Sequence, residues 1–334
     1  MALATGVGSM PGSDFGESLG IVLDQLPELP HLPELPARGV SAAMIGRTLG
    51  LITHLGFDLQ PAGWRLTDSP GRDQRRARSL LDQDLDLLEE MTQGYAGEFK
   101  VQVAGPWTLA AFVERPRGDK LLADHGARRE MAQALAEAVT NHIGDLGRRM
   151  SGAQLTVQVD EPLLPAVLAG GVPTASGFHR HRSVSAADAS QALSWVYSAI
   201  AESGAQPLTH CCADDVPIQL LRDAGSQVSV DPTVLAAGRY EELAQYLDSG
   251  LRLFLGVAPT PNQQSWQPGD LLVSTHRLLE MLGFDPAGVR GYLVLTPACG
   301  LSGSGSSPSS GRSTSALVSE SLGAIHSAAQ DVGA

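Results

Sequence analysis

The chain has 334 residues, 43% of them hydrophobic and 18% charged, with 37 Gly and 21 Pro; this excludes a disordered or fibrous protein and fits one large α/β domain, either a barrel or a doubly wound sheet. Its 23 Lys and Arg stand against 36 Asp and Glu, and a net charge of −13 without a basic block excludes nucleic acid as the natural partner. Three cysteines cannot build a disulfide framework, and neither an apolar run of membrane-spanning length nor a basic-then-apolar leader is present, so the expectation is a cytoplasmic protein with free thiols and no membrane partner.

The first hundred residues are irregular. Ala4–Gly8 is apolar or small and ends on Ser9. Leu26–Pro36 (LPELPHLPELP) carries four prolines and cannot be a regular helix, so it reads as an extended surface segment or a barrel-closing arm. Gln74–Met91 is the first clear helical pattern. Strand and helix signals then alternate. Strands are predicted at Phe99–Ala104, Leu155–Val159, Pro207–Thr209, Gln227–Val230, Leu251–Val257 and Tyr292–Leu295. Helices are predicted at Arg128–Met150, Ala186–Ser203, Val216–Ala224, Tyr240–Ser249 and Leu271–Leu282. Short strands rich in Val and Leu suit a parallel sheet buried on both faces, and the alternation implies βα units. Ser302–Ser315 is a Gly/Ser-rich flexible loop by composition, and Ala316–Ala329 a closing helix. No other composition shift marks a linker, so residues 1–334 read as a single domain.

The chemistry-bearing residues fall just past the predicted strands. Ser9, Gly105-Pro106, Asp160-Glu161-Pro162, His210-Cys211-Cys212, Asp231 and Cys299 each follow one. In a parallel α/β barrel those ends share the face that carries the active site. His210 and Cys212 share one side of an extended segment, since side chains alternate with period two, and Cys211 points away. With Cys299 and Asp231 they could form a tetrahedral shell of two sulfurs, one nitrogen and one oxygen, a donor set that suits zinc. No phosphate-cradling glycine loop or serine-nucleophile elbow occurs. His179-Arg180-His181-Arg182 reads as a solvated loop or an anionic-substrate lid, and Trp107 and Trp266 as packing residues or a stacking platform.

Five segments together carry a family resemblance: Gly8-Ser9-Met10-Pro11, Gly105-Pro106-Trp107-Thr108, Gln158-Val159-Asp160-Glu161-Pro162, Thr209-His210-Cys211-Cys212 and Pro297-Ala298-Cys299-Gly300-Leu301. In order and spacing the chain resembles the C-terminal catalytic domain of cobalamin-independent methionine synthase, including its short single-domain relatives. The resemblance implies a single-domain (β/α)8 TIM barrel with a catalytic zinc. It implies His210, Cys212 and Cys299 as metal ligands, with Asp231 standing where the family has a Glu, and Ser9 and Asp160 as substrate-binding residues for homocysteine. The implied activity is methyl transfer to the homocysteine thiol, giving methionine, from 5-methyltetrahydrofolate, a methylcorrinoid protein or another small methyl compound. Two family features find no match: an acidic substrate-binding residue, sought in Arg38–Asp68, where only Asp58 and Asp68 are acidic, and a proton-donating His, for which Gly256–Pro261 offers none. A uroporphyrinogen-decarboxylase-like barrel enzyme without zinc, and a non-catalytic zinc-binding regulatory homologue, are the alternative readings.

Overall fold

The computed structural model describes residues 1–304 and 313–333. In chain order β1 (Leu3–Ala4) leads to α1 (Phe15–Gln25), the irregular proline-rich segment and α2 (Met44–Leu51). A hairpin of β2 (Gly56–Gln60) and β3 (Gly63–Thr67) precedes α3 (Arg72–Met91). Then come β4 (Glu98–Ala104), α4 (Pro106–Phe112), α5 (His125–Arg149), β5 (Gln154–Asp160), α6 (Leu164–Leu168) and α7 (Ala186–Glu202). The remainder is β6 (Gln206–Cys211), α8 (Ile218–Asp223), β7 (Gln227–Val230), α9 (Arg239–Asp248), β8 (Leu253–Ala258), α10 (Pro268–Leu282), α11 (Pro286–Val289), β9 (Leu293–Pro297) and α12 (Thr314–Asp331).

Local chemistry explains these elements. The α5 helix starts where the Asp124 carboxylate accepts from Ala127 N, and it ends on Arg148 and Arg149, cations set against the carbonyl end of the helix. Between them Met131, Leu135, Ala138, Val139, His142 and Leu146 recur at helical spacing and are buried. Ser185 caps α7 and Ser313 caps α12 in the same manner. The expected flexible loop at 302–315 is therefore shorter at its C-terminal end, because Thr314 already belongs to α12; its residues 305–312 lie outside the described residues.

Seven strands form one parallel sheet in the order β1-β9-β8-β7-β6-β5-β4. Among the described residues the expected eight-stranded barrel does not close: the sheet is a curled half-barrel, and its edge strands β1 and β4 do not pair with each other. Residues of the proline-rich segment lie along both edges. Leu32 N donates to Lys100 O at 2.9 Å and Lys100 N to Pro30 O at 2.9 Å on the β4 side. Glu34 N donates to Gly8 O at 3.1 Å and Met10 N to Glu34 O at 2.8 Å on the β1 side. Prolines at positions 27, 30, 33 and 36 have no N–H to give, so this segment makes isolated bridges instead of a continuous ladder.

The sheet has two chemically different faces. Leu208, Phe254 and Val294 pack with Leu29 in a small cluster of their own, while Val101, Val157, Val228 and Leu255 join the main core with the helices. Residues paired laterally share a face, so Gln102 and Gln158 lie on the Leu208 side, as does Ser229, the partner of Phe254. Two residues further along the strands the same face presents Asp160 and His210, and two residues before Gln102 it presents Lys100. The inner face thus carries an apolar cluster on β6, β8 and β9 and polar side chains on β4, β5 and the ends of β6 and β7.

The arm packs without slack against β1. A Cβ on Gly6 would lie 2.2 Å from His31 Cε1, inside contact distance. Gly6→Ala is expected to cost about 2 kcal/mol of stability through overpacking. The cost should shrink in a His31→Ala background, as urea unfolding of the four proteins of that double-mutant cycle would show.

Candidate metal centre

His210 lies in β6, with Cys212 just beyond its end, and Cys299 lies two residues past β9. Their ligand atoms all fall within 4.8 Å of one another. The two sulfurs are 3.4 Å apart and the cysteines are free thiols. Cys211, between the two β6 ligands, is buried in the main core on the opposite side of the strand. His210 Nδ1 meets Ser229 Oγ at 3.0 Å, which fixes the ring, and its Nε2 is buried without a hydrogen-bond partner. A buried, unpartnered imidazole nitrogen beside two sulfurs is a donor set that could hold a metal ion, since two sulfurs about 2.3 Å from one tetrahedral ion lie roughly 3.8 Å apart. The contact with Cys212 and the nearby His210 pull the Cys299 thiol toward ionisation, while the same contact, together with burial, pushes Cys212 the other way.

Asp231 follows β7 on the inner side but lies outside this three-residue group. Its Oδ1 accepts from Thr233 N at 2.8 Å and from Thr233 Oγ1 at 2.6 Å, so the carboxylate is engaged in its own turn.

Ser9 and Asp160 line a cavity of about 280 Å³ together with His210, Cys212 and Cys299. Burial pushes the Asp160 carboxyl upward, opposed by His210 and Lys100, and Gln158 Nε2 donates to its Oδ1 at 2.7 Å. Asp160 does not cap a helix: the residue before α6 is Leu163, which makes no side-chain cap. The helix-bracing residue of this motif is Glu161. Its carboxylate accepts from Trp107 N and Thr108 N, each at 2.8 Å, and from Thr108 Oγ1 at 2.7 Å, at the start of α4. Gly105 has no side chain because a Cβ there would lie 2.3 Å from Glu161 Oε1. The Gly-Pro-Trp-Thr and Asp-Glu-Pro segments are therefore two halves of one brace between β4 and β5.

Glu34 also lines the cavity, and the sequence reading missed it. It sits in the proline-rich segment, upstream of the stretch searched for an acidic residue. Asp58 lies on β2 and Asp68 just past β3, and neither lines the cavity. The available signal was the repeated Leu-Pro-Glu-Leu-Pro at 26–30 and 32–36. The first copy's Glu28 is spent on His326, at 3.0 Å, and only the second faces the cavity. Burial raises the Glu34 carboxyl, opposed by Arg47, whose Nε is 3.5 Å from it. Arg47 in turn reaches Asp84 at 3.0 Å, and Arg38 closes on that same Asp84 carboxylate with two nitrogens.

Other sequence candidates play structural parts. Trp107 is buried and donates to Ala189 O at 3.1 Å. His181 meets Asp119 at 3.1 Å, and Arg180 donates to Gly171 O at 2.9 Å, so the basic cluster is pinned to its own loop and to the turn after α4. His276 lies in α10 and does not line the cavity.

No protein-family model matches the chain, and no curated protein matches it in sequence. In three dimensions it is similar to a B12-independent methionine synthase from Shewanella sp. W3-18-1, solved in complex with selenomethionine, with a TM-score of 0.64 at 12% identity. The superposition covers 99% of this chain and 97% of that one, and at this identity it establishes a common fold. A GH20 exo-β-N-acetylglucosaminidase from Vibrio harveyi overlays at a TM-score of only 0.28 and 11% identity, over 100% of this chain and 75% of that one, and carries no argument.

The turn after β9 packs directly on Ser9. Leu301 N donates to Ser9 O at 2.8 Å, and a Cβ on Gly300 would lie 1.9 Å from Ser9 Oγ. Gly300→Ala is expected to push the Cys299 turn off Ser9 and to weaken zinc retention by about tenfold, the scale of losing a support around a metal ligand. Competition against a chromogenic chelator measures it.

Proposed function

We propose that this protein is a zinc-dependent S-methyltransferase of the methionine synthase type, with homocysteine as the methyl acceptor. The observation that carries the reading is the convergence of His210, Cys212 and Cys299 on one wall of a cavity that Ser9, Glu34 and Asp160 also line. The overall likeness to a methionine synthase fold supports it, as does the placement of the site at the C-terminal ends of parallel strands. In this reading the half-barrel is a (β/α)8 barrel in which the stretch from Pro30 to Glu34 stands in place of one strand.

His210 Nε2, Cys212 Sγ and Cys299 Sγ would hold the zinc, leaving one position open, the usual pattern of a catalytic site. Zinc bound there would lower the pKa of a coordinated thiol and supply a thiolate at neutral pH. Ser229 keeps His210 in the orientation that presents Nε2 to the ion. Asp160 and Glu34, two carboxylates on one cavity, would take the substrate ammonium. Ser9, packed against the turn that carries Cys299, would take its carboxylate. Asp231, expected from sequence as the fourth ligand, is engaged with Thr233 through Oδ1 and stands outside the three-residue group. The methyl donor, whether a methylated folate, a methylcorrinoid protein or another methyl compound, is the variable of the assay.

Purified protein is expected to carry about one zinc per chain by elemental analysis. Cys212→Ser and Cys299→Ser should each lose it, and Asp231→Asn should keep it. Zinc-free, folded wild-type protein would favour the decarboxylase reading instead. The zinc-loaded enzyme, given homocysteine and a panel of methyl donors, should form methionine with at least one of them; homocysteine binding without turnover on any donor would favour the regulatory reading.

A further inference from the structure

Beneath the cavity lies a charged residue that the chemistry above does not use. Lys100, on the inner face of β4, has 0% relative exposure, and its Nζ donates to Val7 O at 2.9 Å and to Gln158 Oε1 at 2.7 Å. Gln158, on β5, is equally enclosed, and its Nε2 donates to Val7 O at 2.9 Å and to Asp160 Oδ1 at 2.7 Å. An amide side chain can be placed either way round, and the choice is made by its neighbours. A lysine ammonium has three N–H groups and no lone pair, so it can face only the amide oxygen. The Gln158 nitrogen is thereby turned toward Asp160. With Oδ1 held by that donor, the second oxygen of Asp160 is the one left for a ligand in the cavity.

We infer that Lys100 is a positioning residue that acts through Gln158 to aim the Asp160 carboxylate at the ammonium group of an amino-acid thiol. This rests on the proposed thiol substrate and adds to it the requirement for a free amino group. The geometry fits this role better than simple ballast. Burial pushes the pKa of the Lys100 ammonium down to about 7 against the pull of Asp160 and Glu34, and an apolar residue would fill the inner face of β4 at lower cost. The two hydrogen bonds of the relay, Lys100 to Gln158 and Gln158 to Asp160, are each 2.7 Å long, and the relay ends on Asp160, which lines the cavity. Without the lysine, the Gln158 oxygen loses its donor, and only the Val7 carbonyl and Asp160 itself are left to hold the amide in this orientation.

The test compares homocysteine with its analogue lacking the amino group, a sulfanylbutanoate, by titration calorimetry of zinc-loaded protein. Wild type should prefer homocysteine. Lys100→Met, which keeps the chain length and removes the donors, should raise the homocysteine Kd by about tenfold, the scale of a charge-assisted hydrogen bond, and leave the analogue's Kd and the zinc content unchanged. A packing role would weaken both thiols together. Should Lys100→Met fail to fold, Gln158→Met, which leaves the lysine in place, is expected to give the same loss of preference. Equal weakening of both thiols, or an intact preference in the variants, overturns the assignment. Wild type binding the two thiols equally would remove the role of Asp160, and wild type binding neither would remove the thiol substrate itself; each of those results also ends the role of Lys100, and for a different reason.

Discussion

Cys212 and Cys299 are 87 residues apart in sequence and their sulfurs are 3.4 Å apart in space, and the rest of the site depends on that meeting. It is made by strand direction. Strands β6, β7, β8 and β9 lie side by side and all run the same way, so their C-terminal ends open on one rim. The curl of the sheet then turns that rim inward, bringing the end of β9 across to the end of β6. His210 needs no long-range help, since it shares a strand with Cys212, but its Nε2 has a use only because Cys299 arrives opposite.

The second constraint is charge inside a dry shell. Glu34 and Asp160 are both buried beside the cavity, and burial alone would drive either to its neutral form. Each is backed by cations that no solvent screens. Glu34 leans on Arg47, which is itself held by the Asp84–Arg38 pair between α2 and α3. Asp160 is backed through Gln158 by Lys100. These are costly arrangements for stability, and replacement by apolar groups would often be neutral or better. What they supply is placement: two carboxylates held at fixed points on one wall, with their orientations set from behind.

Some of this was legible in the sequence, for stated reasons. The parallel strands β4 to β9 were found within a few residues, because both-face burial leaves Val- and Leu-rich runs that no loop imitates. The helices α3, α5, α7, α9, α10 and α12 were found by their apolar spacing. The hairpin β2–β3 was not, because its residues are half-exposed and lack a clean alternation. The proline-rich segment reads in sequence as a surface segment or a barrel-closing arm, and its backbone bonds to the β1 and β4 sides of the sheet bear out the arm. The bracing part of Glu161 was not read: its partners are backbone amides of Trp107 and Thr108, and a carboxylate bonded to backbone leaves no residue pattern to read.

Strand direction and alternation are properties of short stretches, and the sequence by itself determined them: which residues form βα units, which side chains follow the strand ends, and that His210 and Cys212 share a side while Cys211 does not. Tertiary structure alone decided the rest. It chose Glu34 over Glu28, Asp58 and Asp68 for the cavity, engaged Asp231 with Thr233 outside the His210–Cys212–Cys299 group, and put an irregular proline-rich arm along the two open edges of the sheet. Those outcomes depend on which distant backbone reaches a given point first, and a linear pattern of residue types carries no record of that.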